Sequence, residues 1–355
     1  MVTNGPRRWA ILTDGYLTER NAKTAHGVLR YGRDEVVCVI DEKHAGRSVT
    51  DVMPELGRDV PVVGSVTAAL ALQPTSLLLG VATPGGWLPE HWRKWIVEAL
   101  EAGLEIVNGL HKFLRDDPEL VALAQEHGGS LWDVRDPPKD IPLFSGKPLE
   151  LDKQIVATVG SDCAVGKKTT ALELAAAGRA AGTATEFVAT GQTGILIAGK
   201  GIAVDRVIAD FLPGAAEKLV CDTHVLTEVV VVEGQGSLWH PAYSAVTLGL
   251  LHGSCPHALV LCHQAGRQAI EEPPYTPLPP LSEMVQGYER IAAVTRPARV
   301  ACVSLNTKGL DRNEARAEIK RVEDETGLPA GDVVAGDAPK LWAAVAEVLA
   351  AGPMD

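Results

Sequence analysis

No run of eighteen apolar residues occurs in the 355-residue sequence, so no membrane-spanning helix is expected. The opening stretch MVTNGPRRWAILTDG carries two arginines but neither an adequate apolar stretch nor a small-residue cleavage site. It therefore does not read as a signal peptide, and a cytoplasmic protein with no membrane partner is expected. Positive charge is in short supply. Lys and Arg number 33 against 45 Asp and Glu, a net charge of −12, which argues against a general nucleic-acid binder but leaves room for a local basic pocket. The six cysteines, at 38, 163, 221, 255, 262 and 302, form no C-x-x-C pair and read as reduced, mostly buried thiols. The densest group of potential ligands, His252, Cys255, His257, Cys262 and His263, fits no familiar zinc spacing. A G-x-G-x-x-G fingerprint is missing, as is any internal repeat, so dinucleotide binding has little support.

What is present is a globular composition, 46% hydrophobic and 22% charged, in a chain long enough for two domains. Residues 133–150 (DVRDPPKDIPLFSGKPLE) are rich in proline and charge and lack periodicity, which marks a domain boundary. The division expected is residues 1–140 and residues 141–355. In the first part, strands at 8–13, 35–40, 60–63, 76–81 and 105–107 alternate with helices at 21–33, 92–102 and 120–127. Such alternation implies a mostly parallel sheet covered on both faces. The turns at 80–86 and 107–111 follow strands and so lie at carboxyl ends of the sheet, where ligands bind in folds of this kind. Lys23, Thr24 and His26 form a small polar cluster near the first turn.

The second part opens with the most informative stretch, residues 155–174, IVATVGSDCAVGKKTTALEL. A β-branched run leads through Gly160, Ser161, Asp162, Cys163, Ala164, Val165 and Gly166 to Lys167, Lys168, Thr169, Thr170 and a helix-forming tract. Strand, glycine loop, lysine, hydroxyl and helix is the layout of a phosphate-binding loop. Unpartnered amides at a helix start and the helix dipole favour an anion. Lysine adds a mobile charge, and a threonine hydroxyl can hold Mg²⁺. The spacing departs from G-x-x-x-x-G-K-S/T. Five residues separate Gly160 from Gly166, and Lys168 occupies the hydroxyl position, so Thr169 or Thr170 has to supply it.

Further strands are expected at 185–190, 228–232, 258–262 and 299–305, a short apolar run at 195–198, and helices around 215 and at 313–326 and 338–350. The strand at 228–232 runs into Glu233, the arrangement of an acid that meets Mg²⁺ or its waters beside the phosphates; Asp210 is the second acid expected there. His240 lies in a loop with Pro241, Tyr243 and Ser244, and Arg267 follows the strand at 258–262. The Pro-rich tract 271–282 (EEPPYTPLPPLS) reads as either a cover for a site or a surface loop.

The strings GSDCAVGKKTTALEL, FVATGQTGILIAGKGIAVDRVIADF, EGQGSLWHPAYSAVTLGLLHGS and SLNTKGLD, with AKTAHGVLRY and VVCVID near the start, together resemble a bacterial and archaeal family long known as a domain of unknown function. The resemblance runs over essentially the whole chain, although Lys168 stands where that family's pattern has Met. It implies a Rossmann-like N-terminal parallel-sheet α/β domain followed by a P-loop NTPase α/β domain. Some members of the family are regarded as D-glutamate N-acetyltransferases and others as ATP-dependent ligases of short peptides. The C-terminal half is also similar, more distantly, to dethiobiotin synthetase, in which a carboxyl-type group is phosphorylated and a nitrogen closes on it. That similarity implies Lys167 on the phosphates of ATP, Thr169 or Thr170 with Asp210 and Glu233 around Mg²⁺, and Asn306 near the adenine edge.

The function expected first is an ATP- and Mg²⁺-dependent ligase that activates an amino-acid-type carboxylate as an acyl phosphate and joins it to an amine. Such chemistry uses an anion cradle, a metal and charge neutralisation of an in-line transfer. Lys168, Gln192, His240 and Arg267 are candidates to hold the carboxylate or the transferred group. The alternatives are N-acetyl transfer from acetyl-CoA to an amino acid such as D-glutamate, in which the paired acids have little to do, a small-molecule kinase, and a non-enzymatic nucleotide switch. The partners expected are small amino-acid-like substrates and further copies of the chain in a homo-oligomer.

Overall fold

The structure, a computed structural model, describes residues 6–271 and 275–352. The first residues of the leader reading and residues 272–274 of the Pro-rich tract lie outside the described residues. The chain divides into two compact units: residues up to Asp136 together with Gln192–Ala203, and Pro137–Gly191 together with the chain from Val204 onward.

The N-terminal unit holds β1 (Arg8–Leu12), α1 (Lys23–Tyr31), β2 (Glu35–Ile40), α2 (Val49–Val52), β3 (Val62–Val63), α3 (Val66–Leu70), β4 (Ser76–Leu79), α4 (Arg93–Glu101), β5 (Glu105–Asn108), α5 (Pro118–Glu126) and β6 (Ser130–Asp133). Its six strands pair in the order β3-β2-β1-β4-β5-β6, every pair parallel. EVVCVI makes β2 because a strand covered on both faces needs an unbroken apolar run. Helix α4 turns Ile96, Ala99 and Leu100 into the core, where Leu12, Ile40, Leu77, Leu79 and Ile106 meet them. Each of the Leu and Ile side chains contributes roughly 1.5–3 kcal/mol on burial. Asp117 starts α5 by accepting hydrogen bonds from the amides of Glu119 and Leu120, with Pro118 in the first turn, where its missing N–H costs nothing.

Strand order reverses between β1 and β4, the place where open α/β sheets accept ligands. Here the mouth is tied by its own side chains. Asp14, in the turn after β1, accepts hydrogen bonds from His91 Nε2 (2.8 Å) and Trp92 Nε1 (2.7 Å). The turn at 107–111 leaves the end of β5, as its glycine suggests, and the turn at 80–86 leaves the end of β4.

The C-terminal unit contains β7 (Gln154–Gly160), α6 (Lys167–Ala180) and β8 (Thr185–Val188). Next in the chain comes α7 (Gln192–Ala198), which the sequence reading puts in the C-terminal domain but which packs on α1 in the N-terminal unit. The difference has a packing reason: Thr193 through Ile197 are buried there, and the Thr193 hydroxyl lies 3.2 Å from that of Thr24. The rest of the C-terminal unit is α8 (Leu212–Cys221), β9 (Val229–Val232), α9 (Ser244–Ser254), β10 (Ala258–Gln264), α10 (Leu281–Ala292), β11 (Arg299–Asn306), α11 (Arg312–Thr326), β12 (Ala330–Gly331) and α12 (Ala338–Ala351). The sheet runs β12-β11-β10-β7-β9-β8, again parallel throughout. The Pro-rich connection is anchored on this unit: buried Glu217 accepts hydrogen bonds from the Ser145 amide and hydroxyl and the Gly146 amide. Among the described residues no helix is long and apolar enough to cross a membrane.

Candidate active site at the glycine loop

Strand β7 is central in its sheet, so the loop that leaves its carboxyl end emerges between β9 and β10. Gly160 ends the strand. Its carbonyl accepts a hydrogen bond from the hydroxyl of Tyr288 (2.6 Å) on α10, and that hydroxyl also accepts the Leu238 amide at 3.3 Å. Ser161 is buried; its carbonyl accepts the Ser237 hydroxyl (2.9 Å) and its Oγ pairs with His263 Nδ1 (2.8 Å). Asp162, 1% exposed, takes Arg267 at 2.6 Å, the Glu271 amide at 3.0 Å and the Cys163 amide at 2.6 Å. Ala164 is exposed at φ +52° and Val165 is buried. Gly166 turns the chain into α6 at φ +114°, a conformation that L side chains rarely adopt.

That turn shapes the chemistry. Gly166 is the N-cap of α6 and has no side chain to cap it, so the helix start is left for an external anion. Lys167 folds back into the loop and donates to the Asp162 carbonyl (2.7 Å). Burial pushes its ammonium below the ordinary lysine range, against the pull of Cys163, Cys262, Asp162 and Glu233. A buried cation at an uncapped helix start fits a phosphate chain. Thr170 is buried with its hydroxyl 2.8 Å from that of Ser304 on β11. Thr169, half-buried, is the hydroxyl of the pair that could hold a metal.

Glu233 stands at the tip of β9, buried, with its carboxylate accepting the amides of Thr190 (2.9 Å) and Gly191 (3.1 Å). Burial raises its pKa; the Lys168 charge and the two amides oppose the rise, and the Asp205 charge adds to it. The acid felt at Glu233 is therefore Asp205. Asp210, expected as the second metal acid, lies exposed in the turn before α8. Gly234 follows Glu233 under tight constraint, since a Cβ there would stand 1.8 Å from the Thr158 carbonyl oxygen.

His240 is 1% exposed. A ring nitrogen of it, a carboxylate oxygen of Asp162 and the Cys163 sulfur all lie within 4.8 Å of one another, the one group of potential metal ligands among the described residues. The patch His252 to His263 forms no such group: His252, Cys255 and His257 precede β10, and His263 sits near its other end against Ser161. Arg267 serves Asp162, Gln264 (2.5 Å) and Glu271 (2.9 Å). Asn306 ends β11, its carbonyl accepting the Ala265 amide and its side-chain oxygen accepting the Lys308 amide. Gln192 begins α7 in the N-terminal unit. Tyr288, Ser237, Asp205 and the turn at Thr190 escape a reading by motif. Tyr288 sits in an amphipathic helix with no local signal, and only the packing of α10 brings it to the loop.

The sequence pattern of a P-loop domain of unknown function, DUF1611, matches residues 142–342, and the pattern of its Rossmann-like N-terminal domain matches residues 42–137. A protein of Tritonibacter scottomollicae named D-glutamate N-acetyltransferase is 42% identical over 77% of this chain and 81% of its own. A Pseudoalteromonas protein of the same name is 40% identical over 76% of this chain and 80% of its own. The crystal structure of a DUF1611 family protein from Anabaena variabilis superposes with a TM-score of 0.92 at 40% identity, covering 96% of this chain and 99% of that one.

Proposed function

The chain belongs to the DUF1611 family, and from that premise we propose that it is an enzyme that transfers an acetyl group from acetyl-CoA to the amine of an acidic amino acid of the D-glutamate class. The observation that carries this reading is a buried Lys167 beside an uncapped helix start, in a chain whose relatives are named D-glutamate N-acetyltransferase. The loop amides and Lys167 grip the donor's phosphates. The substrate amine attacks the thioester carbonyl; the C–N bond forms, the C–S bond breaks, and the amine proton ends on the departing CoA thiol. The pantetheine arm is long, so the acyl transfer takes place away from the loop itself.

One observation favours a second reading. Glu233 lies under the electrostatic influence of Lys168 and Asp205. This arrangement suits the Mg²⁺ of a nucleoside triphosphate, with Thr169, Glu233 and Asp205 as its holders and Asn306 toward the base. Mg²⁺ would supply charge neutralisation of the transferred phosphoryl group. The activity would then be amide-bond formation at the expense of ATP.

The experiment is direct. The full chain is incubated with D-glutamate and acetyl-CoA, and separately with ATP, Mg²⁺ and amino-acid pools. The proposal expects CoA thiol release without ATP or metal, lost in Lys167→Ala. ADP and phosphate release that needs two substrates, and collapses in Glu233→Gln, replaces it with the ligase. AMP release excludes both.

A further inference from the structure

His240, expected from the sequence as one of four candidates to hold a carboxylate or a transferred group, has an imidazole with one ring nitrogen unmatched. The ring is 1% exposed, and its Nδ1 accepts the Ala242 amide at 3.2 Å. A ring whose Nδ1 accepts a hydrogen bond carries its proton on Nε2 when neutral. Nε2 is buried and has no hydrogen-bond partner among the described residues. A buried donor left unmatched is costly, and native proteins rarely keep one without a reason. The Tyr243 ring packs against it at a tilt of 46°, with centroids 4.5 Å apart, so the ring is held in place.

The surroundings identify the missing acceptor. A ring nitrogen of His240 lies within 4.8 Å of the Asp162 carboxylate and the Cys163 sulfur, at the first turn of the glycine loop. Asp162 is already neutralised by Arg267 and bonded to two amides. Two cations also stand at this loop, Lys167 inside it and Lys168 at the start of α6, with the buried acid Glu233 acting on both and Glu271 held by Arg267. A donor in a cationic setting at a helix start wants an anionic oxygen. We propose that His240 is an arm of the phosphate cradle supplied from outside the glycine loop, its Nε2–H donating to a phosphate oxygen of the ligand that the loop holds. The assignment rests on the loop's being a phosphate grip, but on neither choice of acyl donor: CoA and ATP both present a pyrophosphate.

Inorganic pyrophosphate is the probe, titrated calorimetrically into the full chain. His240→Phe keeps the ring's bulk and removes the donor, and its affinity is expected to fall about tenfold to a hundredfold, the worth of one hydrogen bond to a charged group. His240→Gln, which restores an N–H, is expected to recover part of the loss. In the unsubstituted chain, nitrogen-15 histidine spectra are expected to show the Nε2–H tautomer for His240, with its signal shifting on addition of pyrophosphate; this reading needs no variant to fold. Unchanged affinity in a folded His240→Phe chain, or an Nδ1–H tautomer, overturns the proposal. Lys167→Ala separates the two levels: if it too leaves pyrophosphate affinity intact, the loop is no phosphate grip, whereas loss in Lys167→Ala with none in His240→Phe removes His240 alone. Tight Zn²⁺ binding that disappears in His240→Phe while pyrophosphate affinity stays would assign the trio to a metal and also overturn it.

Discussion

Removing one oxygen from Tyr288 tests whether α10 braces the glycine loop. The Tyr288 side chain is fully buried, and its hydroxyl donates to the Gly160 carbonyl at 2.6 Å while accepting the Leu238 amide at 3.3 Å. Burial raises its pKa to about 12, so it remains a neutral donor at any working pH. In Tyr288→Phe the ring keeps its edge-on packing against Trp239, centroids 5.1 Å apart, so little packing is lost. What is lost is the partner of a buried carbonyl, which costs about 1–3 kcal/mol; the longer amide contact adds less. With a urea slope of about 2–3 kcal/mol/M for a unit of this size, the unfolding midpoint is expected to drop by roughly 0.3–1.5 M. The same hydroxyl ties Gly160 to the turn whose Ser237 holds the Ser161 carbonyl. If about 1 kcal/mol of the loss is lost preorganisation, the pyrophosphate dissociation constant rises about fivefold. An unchanged urea midpoint would refute the hydrogen bond. A lowered midpoint with unchanged affinity would leave Tyr288 supporting the sheet without holding the loop.

Two predictions concern pH. Burial raises the Glu233 pKa, so its charged form is disfavoured in the fold, and stability is lost as pH rises above the unfolded carboxyl value near 4.5. Glu233→Gln is therefore expected to gain stability relative to the unsubstituted chain as pH rises from 4.5 to 8, as read by urea midpoints; an equal difference at both ends contradicts the buried charge. His263 is pushed down to about 4 by burial, with Arg321 adding to it, from an ordinary 6.5. Its neutral form is favoured in the fold, so stability is complete above pH 6.5 and is lost on acidification toward 4. The total is about 3 kcal/mol, at ~1.4 kcal/mol for each pH unit between 6.5 and about 4, and it is expected to flatten in His263→Gln; a slope that the substitution leaves intact assigns the effect elsewhere.

The sheets were legible where strands are apolar on both faces. EVVCVI and the run before Glu233 announce themselves, because a strand buried on both faces tolerates almost nothing else. Helices with strong caps were legible for the same kind of reason: Asp311 and Glu314 close a reciprocal box at the start of α11, and Gly327 ends it at φ +70°. Helix α9 was not. Its sequence SAVTLGLLHGS is apolar nearly all round and lacks a side-chain cap, so periodicity had nothing to measure. Neither was the exchange of residues 192–203 between units. QTGILIA reads as a short apolar run of either structure, and its partner α1 lies some 170 residues earlier in the chain.

At the site, the sequence located what the backbone dictates and missed what side-chain direction decides. Glycine, lysine and the strand before them name the loop, because that order presents the amides of a helix start to an anion. Two adjacent threonines cannot be told apart in a sequence, yet one step along a helix is a rotation of about 100°. That rotation sends Thr170 inward to Ser304 and leaves Thr169 on the other side. The same logic separates the acids. Asp210 is near Glu233's partners in sequence, but the 3₁₀ turn that carries it faces solvent, whereas Asp205, five residues earlier, acts on the carboxylate. A metal held between β9 and α6 would therefore draw its second acid from the segment just after residues 192–203, the stretch that the N-terminal unit claims. Asp205→Asn is accordingly the substitution that should affect metal dependence, and Asp210→Asn the control that should not.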